Sequence, residues 1–444
     1  NRALKSLEDG LLMHGVPCQD IIVKQDVLAA VDLGIEIAEK GDLLVVQVTA
    51  GGNHKWPLID RIKDSRRRAG EDLVNARAKP LSESGSSDRD IKLLLCGDVM
   101  LGRGIDQVLP NPGDPTLHES WRKIYDAREF VARAQQKHGS LDEDRGFAYV
   151  WGDVLPEAEA FAPDLRLINL ETAITINNGA WPRKPIHYRM NPQNIEVLKI
   201  AGIDACALAN NHVMDWGAEG LEETVRTLDR AGIPHAGAGL SRSEAEAPAV
   251  LDVPGKGRVI VISMASASSG IPAAWAADEN KTGINLVELR KDCVERVRHL
   301  GEAVRQPGDL LVISIHWGGN YEPIATQNQR DFARQLIDNA GVDLVHGHSS
   351  HHVKGIELHN GKLILYGCGD LVNDYEGNER PPERASLAPD LGLMYFAKVC
   401  PESGRLTDLQ MVPTTMRKLR VVRGDEADAE RLMHVLNREC IELG

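Results

Sequence analysis

The chain has 444 residues, more than one ordinary core accommodates, so two or more domains are expected, and its 42% hydrophobic content is enough to build them. A net charge of −14 without a large lysine or arginine block excludes a general nucleic-acid binder, which needs a cationic footprint. An anionic substrate stays open, because a bound metal supplies local positive charge.

In chain order, residues 1–78 read as a small α/β segment. Val27, Val31, Ile35 and Ala38 share one helix face, Gly41 and Asp42 end that helix, and Leu43 to Val48 form a buried strand with GGNH as its turn. A second helix is expected from Pro57 to Ala78, and together these are too little for an independent core. Residues 79–90, KPLSESGSSDRD, are small and polar and read as a linker. From Ile91 the pattern changes. Strands are expected at Ile91–Cys96, Leu165–Ile168, Ala205–Ala209, Val259–Met264, Leu310–Ile315, Val342–Val345 and Leu363–Tyr366. Helical spacing lies between them at Gly220–Ala231, Asn285–Arg305 and Gln327–Ala340, and Asp425–Leu443 reads as a closing helix. Strands alternating with helices indicate an α/β domain over residues 91–415, followed by a strand and helix extension over 416–444.

In such folds the polar residues just after strands line the active site. Here Asp98 sits in LLLCGDVMLGR, Glu171 in LRLINLET, Asn211 and His212 in ALANNHVMDWG, and His316 in LLVISIHWGG. The stretch VDLVHGHSSHHVKG then holds His346, His348, His351 and His352 at the end of another apolar run. Imidazoles and carboxylates gathered at strand ends are the raw material of a polynuclear metal site. Each has an ordinary reading too. Asp98 can be a turn or helix-cap residue. Asn210 and Asn211 can be turn formers, and His316 a hydrogen-bonded core histidine. Asp370 and Asn373 are expected to hold the loop after the last strand. Trp275 and Trp317 either line a pocket or fill the core.

GDVMLGR, NLET, NNHVMDWG, IHWGG, GHSSHHVKGIE and LILYGCGDLVND, in this order, resemble the poly-γ-glutamate capsule-biosynthesis (CapA) family of the calcineurin-like metallophosphatase superfamily. The resemblance covers roughly residues 91–415 and implies a four-layer αββα sandwich. It implies Asp98, Glu171, Asn211, His316, His348 and His351 as ligands of two divalent metal ions, with Glu171 bridging, and this donor set suits manganese, iron or zinc. It implies His212 as an unligated acid that protonates a leaving group; Asp215, three residues on, either orients His212 or fixes the loop. One departure is Met100, where the superfamily often has a histidine; a thioether is a poor partner for a hard cation, and one metal position is left short of a ligand. More faintly, AVDLGIEIAEKGDLLVVQVTAGGNHKWPLI resembles the carboxyl-terminal end of a cyanophycin-synthetase or Mur-ligase domain, without its nucleotide-binding loop.

A second cluster, WPRKPIHYRM, gathers Arg183, Lys184, His187, Tyr188 and Arg189 in a proline-containing loop. Arginine forks bind phosphate or carboxylate, so Arg183, His187 and Arg189 are candidate contacts to an anionic substrate; a solvated loop with an ion pair is the plain alternative. The leading expectation is a metal-dependent hydrolase in capsule or poly-γ-glutamate biosynthesis, acting on an anionic polymer or a phosphorylated intermediate and partnered or fused with an amide ligase. The alternative is a non-catalytic polymer-binding or assembly protein with a partial metal site. No apolar stretch approaches the ~20 residues of a membrane span and no signal peptide is read. The seven scattered cysteines form no CxxC pair and read as reduced thiols, which with the ligase-like segment favours the cytoplasm. The chain opens at Asn1, as a fragment or processed product does, and an extracytoplasmic location is expected if a targeting segment was removed.

Overall fold

The computed structural model describes residues 89–119, 124–378 and 382–443. The small segment at 1–78 and all of the linker before Arg89 lie outside the described residues.

Strand β1 (Ile91–Val99) shows why this sequence makes layers. Its residues are apolar on both faces, and period-two alternation sends them into different cores. Ile91, Leu93 and Leu95 enter one cluster, while Leu94 and Cys96 enter another. The same division recurs along β2 (Leu165–Leu170), β6 (Gly257–Ser266) and β8 (Leu310–His316), with β3 (Ala205–Ala207), β4 (His235–Ala236) and β5 (Ala249–Val253) falling between them in the chain. In β8, Leu310 and Val312 face the first cluster, and Leu311, Ile313 and Ile315 face a third. Strands buried on both sides need two sheets stacked face to face with helices outside.

The first sheet has eight strands. Its central β1 lies parallel to β2, and β3 and β4 continue that parallel edge. The other edge is antiparallel, formed by Leu391–Val399, Leu406–Met416 and Val421–Arg423 in that order outward from β1. A short strand, Asp370–Val372, pairs parallel with the far end of β1. The second sheet has seven strands. Its core is β6, β8 and Leu344–His348, all parallel, followed by Lys362–Leu365 and an antiparallel hairpin partner, Ile356–His359.

Helix Gly217–Ala231 buries Leu221, Val225 and Leu228 against the outer face of the first sheet. Helices Lys291–Val304 and Gln327–Ala340 cover the outer face of the second through Val294, Val297, Phe332, Leu336 and Ile337. The order is therefore helix, sheet, sheet, helix, the αββα sandwich expected. Helix Gln327–Ala340 begins and ends where its sequence says it should. Thr326 Oγ1 accepts from Gln329 N (3.3 Å), Gln329 Oε1 accepts from Thr326 N (2.9 Å), and Gly341 terminates the helix at φ 71°.

Several expected bounds shift. Asn285–Arg305 is not one helix: Leu286–Val287 pairs beside β6, and the helix starts at Lys291. The longest strands of the antiparallel edge, Leu391–Val399 and Leu406–Met416, were not anticipated. The second of these runs across the expected boundary at residue 415, and Val421–Arg423 pairs with it. The closing helix, Glu426–Leu443, sends Leu432 and Val435 into the core between the sheets. All six cysteines among the described residues are free, and Cys96, Cys206, Cys293 and Cys368 are buried. No helix among the described residues is long and apolar enough to cross a membrane.

Candidate metal centre

The parallel strands of both sheets end at one place, and their polar residues meet there. Asp98 lies near the end of β1 and Glu171 just beyond β2. His316 and His348 are the last residues of their strands, and Asp370 is the first of Asp370–Val372. Backbone contact sets Asp98 beside Asp370. Asp98 N donates to Gly369 O (2.9 Å), and a Cβ on Gly97 would lie 1.8 Å from that same oxygen. Only glycine at position 97 permits the approach.

Two groups of ligand atoms result. One is Asp98, His316 and His348; the other is Asp98, Glu171, His351 and Asp370, and in each the offered atoms lie within 4.8 Å of one another. Asp98 Oδ1 is 4.0 Å from Nδ1 of both His316 and His348, and Asp98 Oδ2 is 3.4 Å from His351 Nδ1. Asp98 is thus common to both groups, whereas the family resemblance gives the bridging role to Glu171. His351 Nδ1 is 2.8 Å from Asp370 Oδ1, and Asn373 Nδ2 donates to Asp370 Oδ2 (3.1 Å). Asp370 was expected only to hold its loop. Its signal was the GD following an apolar run, the same pattern that singled out Asp98. Met100 is a buried side chain of the apolar core.

The electrostatics fit a cation. Burial pushes the Asp98 carboxyl up to about 7, with Asp370 adding to the shift and His351 opposing it. Burial and then Asp98 hold Glu171 well above the usual carboxylate range. Burial works against the charged form of His351, but Asp370 and Glu171 outweigh it and raise its pKa well above 6.5. Burial holds His316 and His348 neutral, the state in which imidazole binds metal. Among the buried atoms without a hydrogen-bond partner in the described residues, four lie on expected ligands: Asp98 Oδ2, Glu171 Oε1, Asn211 Oδ1 and His316 Nε2. Buried polar atoms are normally paired, so these four have room for a further partner. The mixed nitrogen and oxygen donors suit a divalent ion.

His212 stands at the edge of this cluster. Its Nε2 is 3.9 Å from Glu171 Oε1 and its Nδ1 is 2.6 Å from Asp215 Oδ2. A carboxylate only accepts, so Nδ1 carries the hydrogen and Nε2 is the atom turned to the cluster. The loop is built for this. Asn210 Oδ1 accepts from the backbone N–H of His212 and Val213, both at 3.0 Å, while Asn210 Nδ2 donates to Leu170 O (2.8 Å) and Asn169 Oδ1 (3.1 Å). Asn169 in turn donates to Asp98 Oδ1 (2.7 Å). Tyr188 stacks on the His212 ring, with centroids 3.9 Å apart. Burial, then the Lys184 ammonium, pulls His212 well below its ordinary value.

From the Trp181–Met190 loop, Lys184 is the cation that reaches the centre. Its Nζ is 2.8 Å from Asp215 Oδ1 and also donates to Ile186 O (2.9 Å). Arg183 is exposed, at φ 62°. His187 Nε2 donates to Trp181 O (2.9 Å). Arg189 pairs with Asp114 (3.1 Å) and lies over the Trp216 ring at 4.1 Å. Of the remaining histidines, His346 Nε2 donates to Cys96 O (2.7 Å) and His352 Nδ1 to Ser350 O (2.9 Å); neither joins a ligand group among the described residues. Trp275 and Trp317 are core residues. A buried cation unforeseen from sequence, Arg103, binds Glu119 Oε1 (2.9 Å) and both oxygens of Asp374.

Residues 92–375 match the family model described as "Bacterial capsule synthesis protein PGA_cap". A "Probable polyglutamine synthesis accessory protein" of Mycobacterium tuberculosis (strain CDC 1551 / Oshkosh) is 42% identical over 350 residues, spanning 78% of this chain and 90% of that one. The "PGA biosynthesis protein CapA" of Bacillus subtilis (strain 168) is 26% identical over 289 residues, spanning 65% and 64% of the two chains. Among solved structures, the calcineurin-like phosphoesterase YfkN from Bacillus subtilis is 12% identical with a TM-score of 0.37, covering 80% of this chain and 98% of that one. The chain belongs to the bacterial capsule synthesis protein family, the CapA-like proteins of capsule and polyglutamate biosynthesis.

Proposed function

We propose that this CapA-like chain is a divalent-metal-dependent hydrolase of the phosphoesterase type, acting on an anionic polymer or on a phosphorylated intermediate of its assembly. The observation that carries this reading is Asp98, shared between two ligand groups, with unpaired buried atoms on Glu171, Asn211 and His316 around it. We assign Asp98, His316 and His348 to one ion and Asp98, Glu171, His351 and Asp370 to a second, with Asn211 completing the set. Manganese, iron and zinc suit these donors better than calcium. When bound, such ions supply Lewis acidity and an activated water at neutral pH. His212 passes a proton to the leaving group through Nε2; in the neutral ring, whose one hydrogen Asp215 holds at Nδ1, that atom is bare and first takes its proton from the attacking water. Lys184 holds Asp215 in place. Arg183, His187 and Arg189 belong to the loop that meets the anionic substrate, with Arg183 exposed at its surface. The relatives' names support a partner in polyglutamate synthesis, such as an amide ligase.

The test is elemental analysis of the purified protein beside a screen of phosphoester and γ-glutamyl substrates. Metal with turnover of one class supports the proposal. Stoichiometric metal without turnover of any class favours the second reading, a binding or assembly protein, which Met100 supports, since a thioether is a poor partner for a hard cation. Absence of metal after reconstitution overturns both.

A further inference from the structure

Two residues behind the ligands form a chain that runs into the centre. His346 lies two residues before His348 on the same strand, with its side chain turned the same way, and is fully buried. Its Nε2 is 2.7 Å from the Cys96 carbonyl, on the strand that carries Asp98. Its Nδ1 is 3.0 Å from Ser314 Oγ, and that same oxygen is 3.0 Å from His348 Nε2. Ser314 is on the neighbouring strand and is also fully buried.

Counting hydrogens fixes the direction of every bond. A carbonyl oxygen only accepts, so His346 Nε2 carries a hydrogen. No carboxylate among the described residues pairs with His346, which is fully buried, and a second proton would leave an unpaired buried charge there. His346 Nδ1 is therefore a bare lone pair and receives the Ser314 hydroxyl hydrogen. That hydroxyl has one hydrogen to give, so toward His348 it can only accept. His348 must donate from Nε2, and its remaining lone pair is on Nδ1. This is the atom that faces Asp98 Oδ1 and that lies 2.8 Å from His316 Nδ1.

We propose that Ser314 and His346 are positioning residues: the relay from Cys96 O through His346 and Ser314 locks His348 in the Nε2–H tautomer and so presents Nδ1 to the metal. Ligating histidines commonly give their second ring N–H to an outer partner, which fixes tautomer and orientation. Here that partner is a serine whose own polarity is set by a second histidine. The inference rests on His348 being a ligand, as proposed above.

Histidine tautomers are read directly by long-range ¹H–¹⁵N correlation on histidine-labelled, metal-free protein. His348 is expected as the Nε2–H form in the parent and as a mixture, or the Nδ1–H form, in Ser314→Ala and His346→Phe. Calorimetric titration of the same proteins with Mn²⁺ is expected to show affinity falling about 10–100-fold in both variants. A parent whose His348 carries its hydrogen on Nδ1 overturns the proposal, as do variants that keep both the tautomer and the affinity. If His346→Phe fails to fold, Ser314→Ala decides, since it removes a single oxygen from the core. A parent that binds no Mn²⁺ sinks the metal reading instead, while the tautomer measurement still reports on the relay.

Discussion

Replacing Asp98 by asparagine is expected to stabilise the metal-free protein and to abolish most of the stabilisation that the parent gains from metal. Asp98 is buried beside Glu171 and Asp370, and its carboxyl is pushed from 3.8 up to about 7. Above that pH the folded protein carries a charge it disfavours. A shift of this size corresponds to about 4 kcal/mol as an upper limit, since a unit of pKa is worth about 1.4 kcal/mol. The sign follows from proton binding. Between pH 3.8 and about 7 the folded state holds the proton and the unfolded state does not, so this group makes stability fall as pH rises through that window. Asp98→Asn removes the charge and keeps the shape. Its amide oxygen still accepts from Asn169 Nδ2, and His351 keeps Asp370 as partner. Urea denaturation in chelator at pH 8 should therefore show the variant more stable by about 1–4 kcal/mol, with the difference fading below pH 4. With Mn²⁺ at a hundred times its dissociation constant the parent gains about 2.7 kcal/mol, and the variant gains little. A variant less stable than the parent in chelator, or one that gains as much from Mn²⁺, refutes the reasoning.

Three further outcomes are expected. His348→Ala should lower metal content in elemental analysis, whereas His212→Ala should keep it and lose about 10²–10⁴-fold in hydrolysis rate, the usual worth of a positioned acid; loss of metal and fold together in the His212 variant would make it structural. Arg103→Met should cost about 3–5 kcal/mol in a denaturant titration, because Glu119 and Asp374, both buried, lose their counter-charge; an unchanged midpoint would contradict a buried ion pair at this place. Among the described cysteines, a thiol reagent should label Cys400 first and leave Cys96, pushed up to about 12 by burial, untouched until unfolding; rapid labelling of Cys96 would contradict its placement in the core.

The parallel halves of both sheets were legible because their strands are short apolar runs each closed by a polar residue, as at Cys96–Gly97–Asp98. The antiparallel edge was not. Leu406–Met416 carries Asp408, Gln410, Pro413 and three threonines among its apolar residues, and its place comes from pairing with Leu391–Val399 rather than from periodicity. In the centre, sequence order singled out residues that end strands but said little about residues that support them. Asp370 gains its place by register opposite Asp98, and Lys184 through a loop that folds back on Asp215. The expected anion contacts, Arg183, His187 and Arg189, shared that loop with Lys184, and nothing in their spacing tells which side chain turns inward. Spacing along one strand set His346 beside His348 but could not reveal Ser314 between them.

The most direct measurement is anomalous diffraction from crystals of the protein soaked in Mn²⁺ at a wavelength on the manganese edge. Density is expected at the end of β1 with an Asp98 oxygen in its coordination shell, beside His316 and His348, beside Glu171, His351 and Asp370, or at both positions. Manganese that binds elsewhere, or that leaves Asp98 without a contact, would contradict a metal centre built from the converging strand ends.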